Sequence, residues 1–109
     1  MKKLFISQPM NGKTDEQILE ERSRAMKAAG VELAESVTPV NSFFDGYDPG
    51  HGCVPLKFLA RSIDLLADAD VACFTPGWKE ARGCRIEHEC AVAYGIPVIL
   101  ISEEGMNGQ

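Results

Sequence analysis

Two places in this chain hold residues whose types and spacing could do chemistry: a glutamate at the start of one helix and a glycine-containing loop before another. The glutamate is Glu87, within Gly83-Cys84-Arg85-Ile86-Glu87-His88-Glu89. The spacing puts it in the first turn of a helix or just after, at the carboxyl end of a strand. A helix N-terminus favours the ionised carboxylate, which suits a nucleophile or an anchor for hydroxyl groups. The alternative is a solvated glutamate that balances helix charge. Glu89 serves as the comparison, because two residues turn a helix by roughly 200° and aim it elsewhere.

The loop is Ser7-Gln8-Pro9-Met10-Asn11-Gly12-Lys13-Thr14, directly after apolar Leu4-Phe5-Ile6. Its end matches a phosphate-binding P-loop, but the first glycine of that pattern would fall where Ser7 stands. Pro9 also has no N–H to offer a phosphate. A nucleoside-triphosphatase reading is therefore poor. The order of strand, glycine-containing loop and helix still suits an anion.

The cysteines are Cys53, Cys73, Cys84 and Cys90. His51 with Cys53, and Cys84 with His88 one helical turn on, would be the zinc-type pairs. No C-x-x-C occurs, and Cys73 sits inside an apolar strand. The expectation is no metal and reduced, buried, inert thiols.

The elements that must position these residues follow from periodicity. In 109 residues, 45% hydrophobic and 25% charged, there is room for one domain with one core, 1–109. The formal net charge of −5 argues against nucleic acid or an anionic membrane as partner. No apolar run approaches the roughly 20 residues needed to span a bilayer. The N-terminus leads straight into a strand pattern without a signal peptide, so a cytoplasmic location is expected.

Element order reads β-α-β-α-β-α-β. Leu4 to Ser7 is a strand. Thr14 with Gln17 fits a capping box, and Ile18, Arg22, Ala25, Ala29 and Leu33 follow at helical spacing. That helix stops between Ala29 and Ala34. Val37 to Val40 is an edge strand, because Pro39 lacks an N–H. Val54 to Ala67 is helical, with Leu56, Leu59, Ile63 and Leu66 on one side. Asp70 to Phe74 is a buried strand. A third helix runs to Tyr94, stops at Gly95, and packs Cys90, Ala91, Ala93 and Tyr94 on the sheet. Pro97 to Ile101 is the last strand, and the tail from about 103 to 109 is expected to fray.

This alternation predicts an α/β fold with a parallel sheet covered on both faces. Ligands then bind beyond the strands' carboxyl ends. The loops there are Gln8–Lys13, Ser42–Cys53 and Thr75–Arg82, and they are expected to surround one pocket with Glu87 at its floor.

Several motifs together resemble the nucleoside 2-deoxyribosyltransferase superfamily. They are Ile6-Ser7-Gln8-Pro9-Met10-Asn11-Gly12, Asp68-Ala69-Asp70-Val71, and the run Gly77-Trp78-Lys79-Glu80-Ala81-Arg82-Gly83 that continues to Glu87-His88. The likeness is closest to a small bacterial and phage branch of unknown function with ISxPMxG and GWxxARGxxxEH motifs. It covers Phe5 to about Ile101. It implies a flavodoxin-like three-layer α/β/α sandwich with a four-stranded parallel sheet. It also implies an N-glycosidase or transferase acting on a nucleoside or nucleoside 5′-monophosphate, with no cofactor.

Residue by residue, Glu87 matches the family's nucleophile. Gly83 matches a glycine where backbone approaches substrate. Gln8, Met10, Asn11 and Gly12 match the loop that lines the pocket and, in monophosphate-specific relatives, holds the 5′-phosphate. Lys13 and Arg82 are either charges for that phosphate or surface cations. Trp78 either stacks on a base or sugar, or caps the core.

Two departures matter. The family's aspartate on the second helix falls at Ser62, and a second aspartate, six residues before the glutamate, falls at Ala81. Help for the leaving base would then come from Ser62, Glu80, His51, His88 or water. The alternative is a nucleotide-binding or sensing protein without turnover. Relatives form dimers or higher oligomers, so the resemblance also implies a homo-oligomer.

Overall fold

The computed structural model describes residues 1–40 and 48–106. Four strands, β1 (Lys2–Ser7), β2 (Val37–Pro39), β3 (Val71–Phe74) and β4 (Val98–Leu100), form one sheet in the order β2-β1-β3-β4. Every pairing is parallel. The helices are α1 (Asp15–Leu33), α2 (Val54–Leu66), α3 (Arg82–Ala93) and α4 (Glu103–Met106), with a 3-10 turn at Trp78–Glu80. The result is a three-layer α/β/α sandwich with a flavodoxin-like strand order. That order reverses between β1 and β3, where open parallel sheets bind ligands.

Alternation along the strands divides the core. Leu4, Ile6, Val71 and Cys73 face Ala25 and Ala29 of α1 and Met106 of α4. Phe5, Ala72 and Phe74 face Leu66 of α2 and Ala91 of α3. Successive strand residues point to opposite faces, so Ser7 continues the Phe5 side and lies on the α2/α3 layer.

Local chemistry sets the ends. Thr14 and Gln17 form the complete capping box of α1, and α1 closes on Ala34 in the left-handed region. Ile18, Arg22, Ala25 and Ala29 are its buried stripe. Pro39 lies on the edge strand. The neighbouring Val40 N–H turns inward to the Leu4 carbonyl at 2.8 Å, so the N–H that proline lacks would face away from β1. Gly95, with φ 75°, follows the end of α3.

Four expectations need correction. Residues 103–106 of the expected tail form a helical turn, α4, beside which the Ser102 hydroxyl accepts from the Gly105 N–H; residues 107–109 lie outside the described residues. Met106 is 8% exposed against the α1 layer, and this burial anchors the segment. Leu56 and Tyr94 are 59% and 84% exposed, because α2 and α3 each turn one flank of their apolar stripe outward. Ala93 is exposed too, so the packing face of α3 is narrower than its small residues suggest. Among the cysteines, only Cys73 and Cys84 are buried; Cys53 is exposed at the N-terminus of α2, and Cys90 is intermediate. Residues 42–47 of the Ser42–Cys53 loop, with Phe43, Phe44 and Tyr47, lie outside the described residues. No helix among the described residues is long and apolar enough to cross a membrane.

Candidate functional site

The buried stripe of α3 is Cys84, Glu87 and Ala91, at the spacing i, i+3, i+7. A carboxyl group therefore stands in a row that faces the sheet. Helix α3 begins at Arg82, so Glu87 is its sixth residue and sits in the second turn. It is 8% exposed, and Glu89 is exposed.

At the carboxyl end of β1, the Ser7 hydroxyl donates to Glu87 Oε1 at 2.6 Å. The Ser62 hydroxyl of α2 also hydrogen-bonds this carboxyl. Burial raises the Glu87 pKa above the ordinary carboxylate value, and the two hydroxyls oppose that rise by bonding the charged form. The Cys84 thiol, one turn earlier, lines the same cavity as Ser7 and is pushed up to about 11 by burial. It stays a protonated thiol at neutral pH.

Glu87 lies in a cavity of about 390 Å³ between the end of β1, α2 and the start of α3. Sites for small molecules run roughly 300–1,000 Å³. Ser7, Ser62, Cys84 and Glu87 form its polar side, with Phe5, Phe58 and Leu59 among the apolar walls. A larger depression of about 570 Å³ lies on the other face of the sheet, between α1, β4 and α4. Its acidic residues are Glu20, Glu32 and Glu104, and Glu20 is ion-paired with Arg24. The smaller cavity is the better candidate, because it has a buried carboxyl held by hydroxyls.

The cavity brings together Gln8, Met10, Ser62, Gly83 and Glu87 from the residues singled out in the sequence, with Ala81 beside them. The Gln8 side chain is committed elsewhere: its Nε2 donates to the Ile18 carbonyl at 3.1 Å, and its Oε1 accepts from Arg22 at 3.4 Å. Gln8 thus ties the wall to α1. At Gly83, an added Cβ would meet Leu59 Cδ1 at 3.9 Å, an ordinary contact, so packing on α2 does not demand glycine there.

Other candidates lie off the lining. Asn11 and Gly12 are exposed in the turn after β1. Lys13 Nζ is 2.9 Å from both Glu21 oxygens. Arg82, Glu80 and His51 are exposed. Trp78 stacks on His88 at 4.3 Å and tilts against Phe74 at 5.6 Å, so its ring caps the α2/α3 core. Asp64 is exposed and ion-paired with Arg61, around the helix from Ser62.

Sequence reasoning did not single out Ser7, Cys84, Phe58 or Leu59 as site residues. The available signal for Ser7 was parity: it shares the Phe5 side of β1, the side that α3 covers. Among the described residues, no group of three or more His, Cys, Asp or Glu is placed to hold a metal ion.

A model for a domain of unknown function (DUF4406) matches residues 2–100. The chain belongs to the DUF4406 family. That match spans every strand, α1 to α3 and the whole cavity lining, so the candidate site lies entirely within the DUF4406 domain. No curated protein and no solved structure matches the chain.

Proposed function

We propose that this DUF4406 protein is a nucleoside 2-deoxyribosyltransferase-like N-glycosidase or transferase. Its substrate is a nucleoside or nucleoside 5′-monophosphate. The observation that carries the reading is Glu87, a carboxyl at the sheet's carboxyl edge, enclosed in a cavity and bonded by Ser7. A solvated glutamate balancing helix charge would not be buried at 8% exposure.

In this reading one Glu87 oxygen attacks the anomeric carbon of the sugar. The C–N bond breaks, its electron pair leaves with the base, and a glycosyl ester forms on Glu87. Water or a second base then attacks the same carbon, the ester bond breaks and the carboxylate is restored. Glu80 and His51 are exposed and off the cavity lining, and Ser62 is bonded to Glu87. His88 is likewise off the lining, stacked on Trp78, so solvent water gives the departing base its proton. Phe58 and Leu59 on α2 supply an apolar wall for the base. A homo-oligomer belongs to the same proposal.

The second reading is a nucleotide-binding protein without turnover. It is favoured by Ala81 and Ser62, which leave Glu87 as the only carboxyl on the cavity lining among the described residues. Incubation with a panel of nucleosides and monophosphates, with free base followed by chromatography, separates the two. The enzyme reading expects base from at least one compound with the wild-type protein and none with Glu87→Gln. Tight binding without base release would establish the second reading.

A further inference from the structure

We infer that Ser7 is a positioning residue for Glu87: its hydroxyl holds one carboxyl oxygen and so fixes the direction in which the carboxylate meets its ligand. The catalytic consequence rests on the glycosidase reading; the geometry does not.

Ser7 is 2% exposed and is the last residue of β1, so the strand's own ladder fixes it in place. A hydroxyl has one proton and two lone pairs. The Ser7 proton goes to Glu87 Oε1 at 2.6 Å, within the short range of O–H···O⁻ bonds. Cys84, also buried, lines the cavity beside Ser7 and keeps its proton at neutral pH.

A glutamate's last torsion is broad and roughly two-fold. Donors from β1 and α2, converging on the carboxyl of an α3 residue, restrict that torsion and leave Oε2 as the oxygen that Ser7 does not engage. The groups facing Glu87 are Ser7 and Phe5 from β1, Ser62, Phe58 and Leu59 from α2, and Cys84 from its own helix. Lys13 reaches Cys84 electrostatically and is ion-paired with Glu21.

The test uses Ser7→Ala and Ser7→Thr in the full chain, with the Glu87 carboxyl followed by carbon-13 NMR titration and assigned by its loss in Glu87→Gln. Removing a hydrogen bond to the charged form raises a carboxyl pKa. The Glu87 midpoint should move up by about one pH unit in Ser7→Ala, the size expected of a charge-assisted bond. It should return towards wild type in Ser7→Thr, which keeps the hydroxyl. Where substrate turns over, the acid limb of the kcat/KM profile should shift with it. If Ser7→Ala does not fold, Ser7→Cys, a weaker donor, should give a smaller rise in the same direction. An unchanged or lowered midpoint in a folded Ser7→Ala protein overturns the inference. A raised midpoint without base release from any compound supports it and counts against the glycosidase reading instead.

Discussion

At the scale of the residue, Glu87 sets burial against function. Its folded pKa lies above the ordinary glutamate value of about 4.3 because desolvation outweighs two hydroxyl bonds. The folded state therefore holds this proton more tightly than the unfolded chain. Stability contributed by the protonated group is present below about pH 4.3, falls as pH rises through the folded pKa, and stays lost above it. Glu87→Gln carries no such loss. Melting temperatures across the pH range should find the variant more stable than wild type above the folded pKa, with the gap closing towards pH 4. A variant less stable than wild type throughout would contradict the burial account. The place of Glu87 early in a helix, with Glu89 as contrast, was legible; its burial and raised pKa were not, because a helix N-terminus points to the ionised form. Ser7 was not, because its role depends on which face of β1 meets α3, and that is a tertiary fact.

At the scale of the element, local signals were readable and partnerships were not. Thr14 with Gln17, Pro39 on an edge strand and Gly95 after α3 each act within a few residues, so the sequence states them directly. The site was expected from three loops. Two of them contribute to the lining, through Gln8, Pro9 and Met10 and through Ala81, and residues 42–47 of the third lie outside the described residues; α2 adds a wall through Pro55, Phe58, Leu59 and Ser62, while Trp78 turns back onto Phe74 and His88. No periodicity distinguishes a tryptophan that caps a core from one that lines a pocket. Met106 was missed for a related reason: α4 is too short for a helical repeat to be seen. The start of α3 yields a sharper prediction. Gly83 has room for a Cβ against Leu59 and lines the cavity. Gly83→Ala should leave the fold intact and stabilise it by up to about 1 kcal/mol, the difference in helix propensity. It should also weaken nucleoside binding by narrowing the cavity. Calorimetry alongside denaturant unfolding checks both; unchanged affinity would remove Gly83 from the binding surface.

At the scale of the whole molecule, the strand order decides where the site can be. The chain passes from β1 to β2 on one side and returns to β3 on the other, so the carboxyl end of β1 is left open between α2 and α3. Glu87 and Ser7 meet at that opening. The alternation of apolar segments made this architecture readable before any coordinate, since four strands separated by three helices leave few topologies. The central claim is that the enclosed carboxylate attacks an anomeric carbon. Intact-protein mass spectrometry after incubation with 2′-fluoro-arabino nucleosides and their monophosphates tests it most directly. Fluorine destabilises the positive charge that develops at that carbon, and the ester accumulates when its resolution slows more than its formation. The account predicts one added fluorosugar, or fluorosugar phosphate, per chain, mapped to Glu87 and absent from Glu87→Gln. Saturating binding of these compounds with no mass added to the wild-type protein would contradict it.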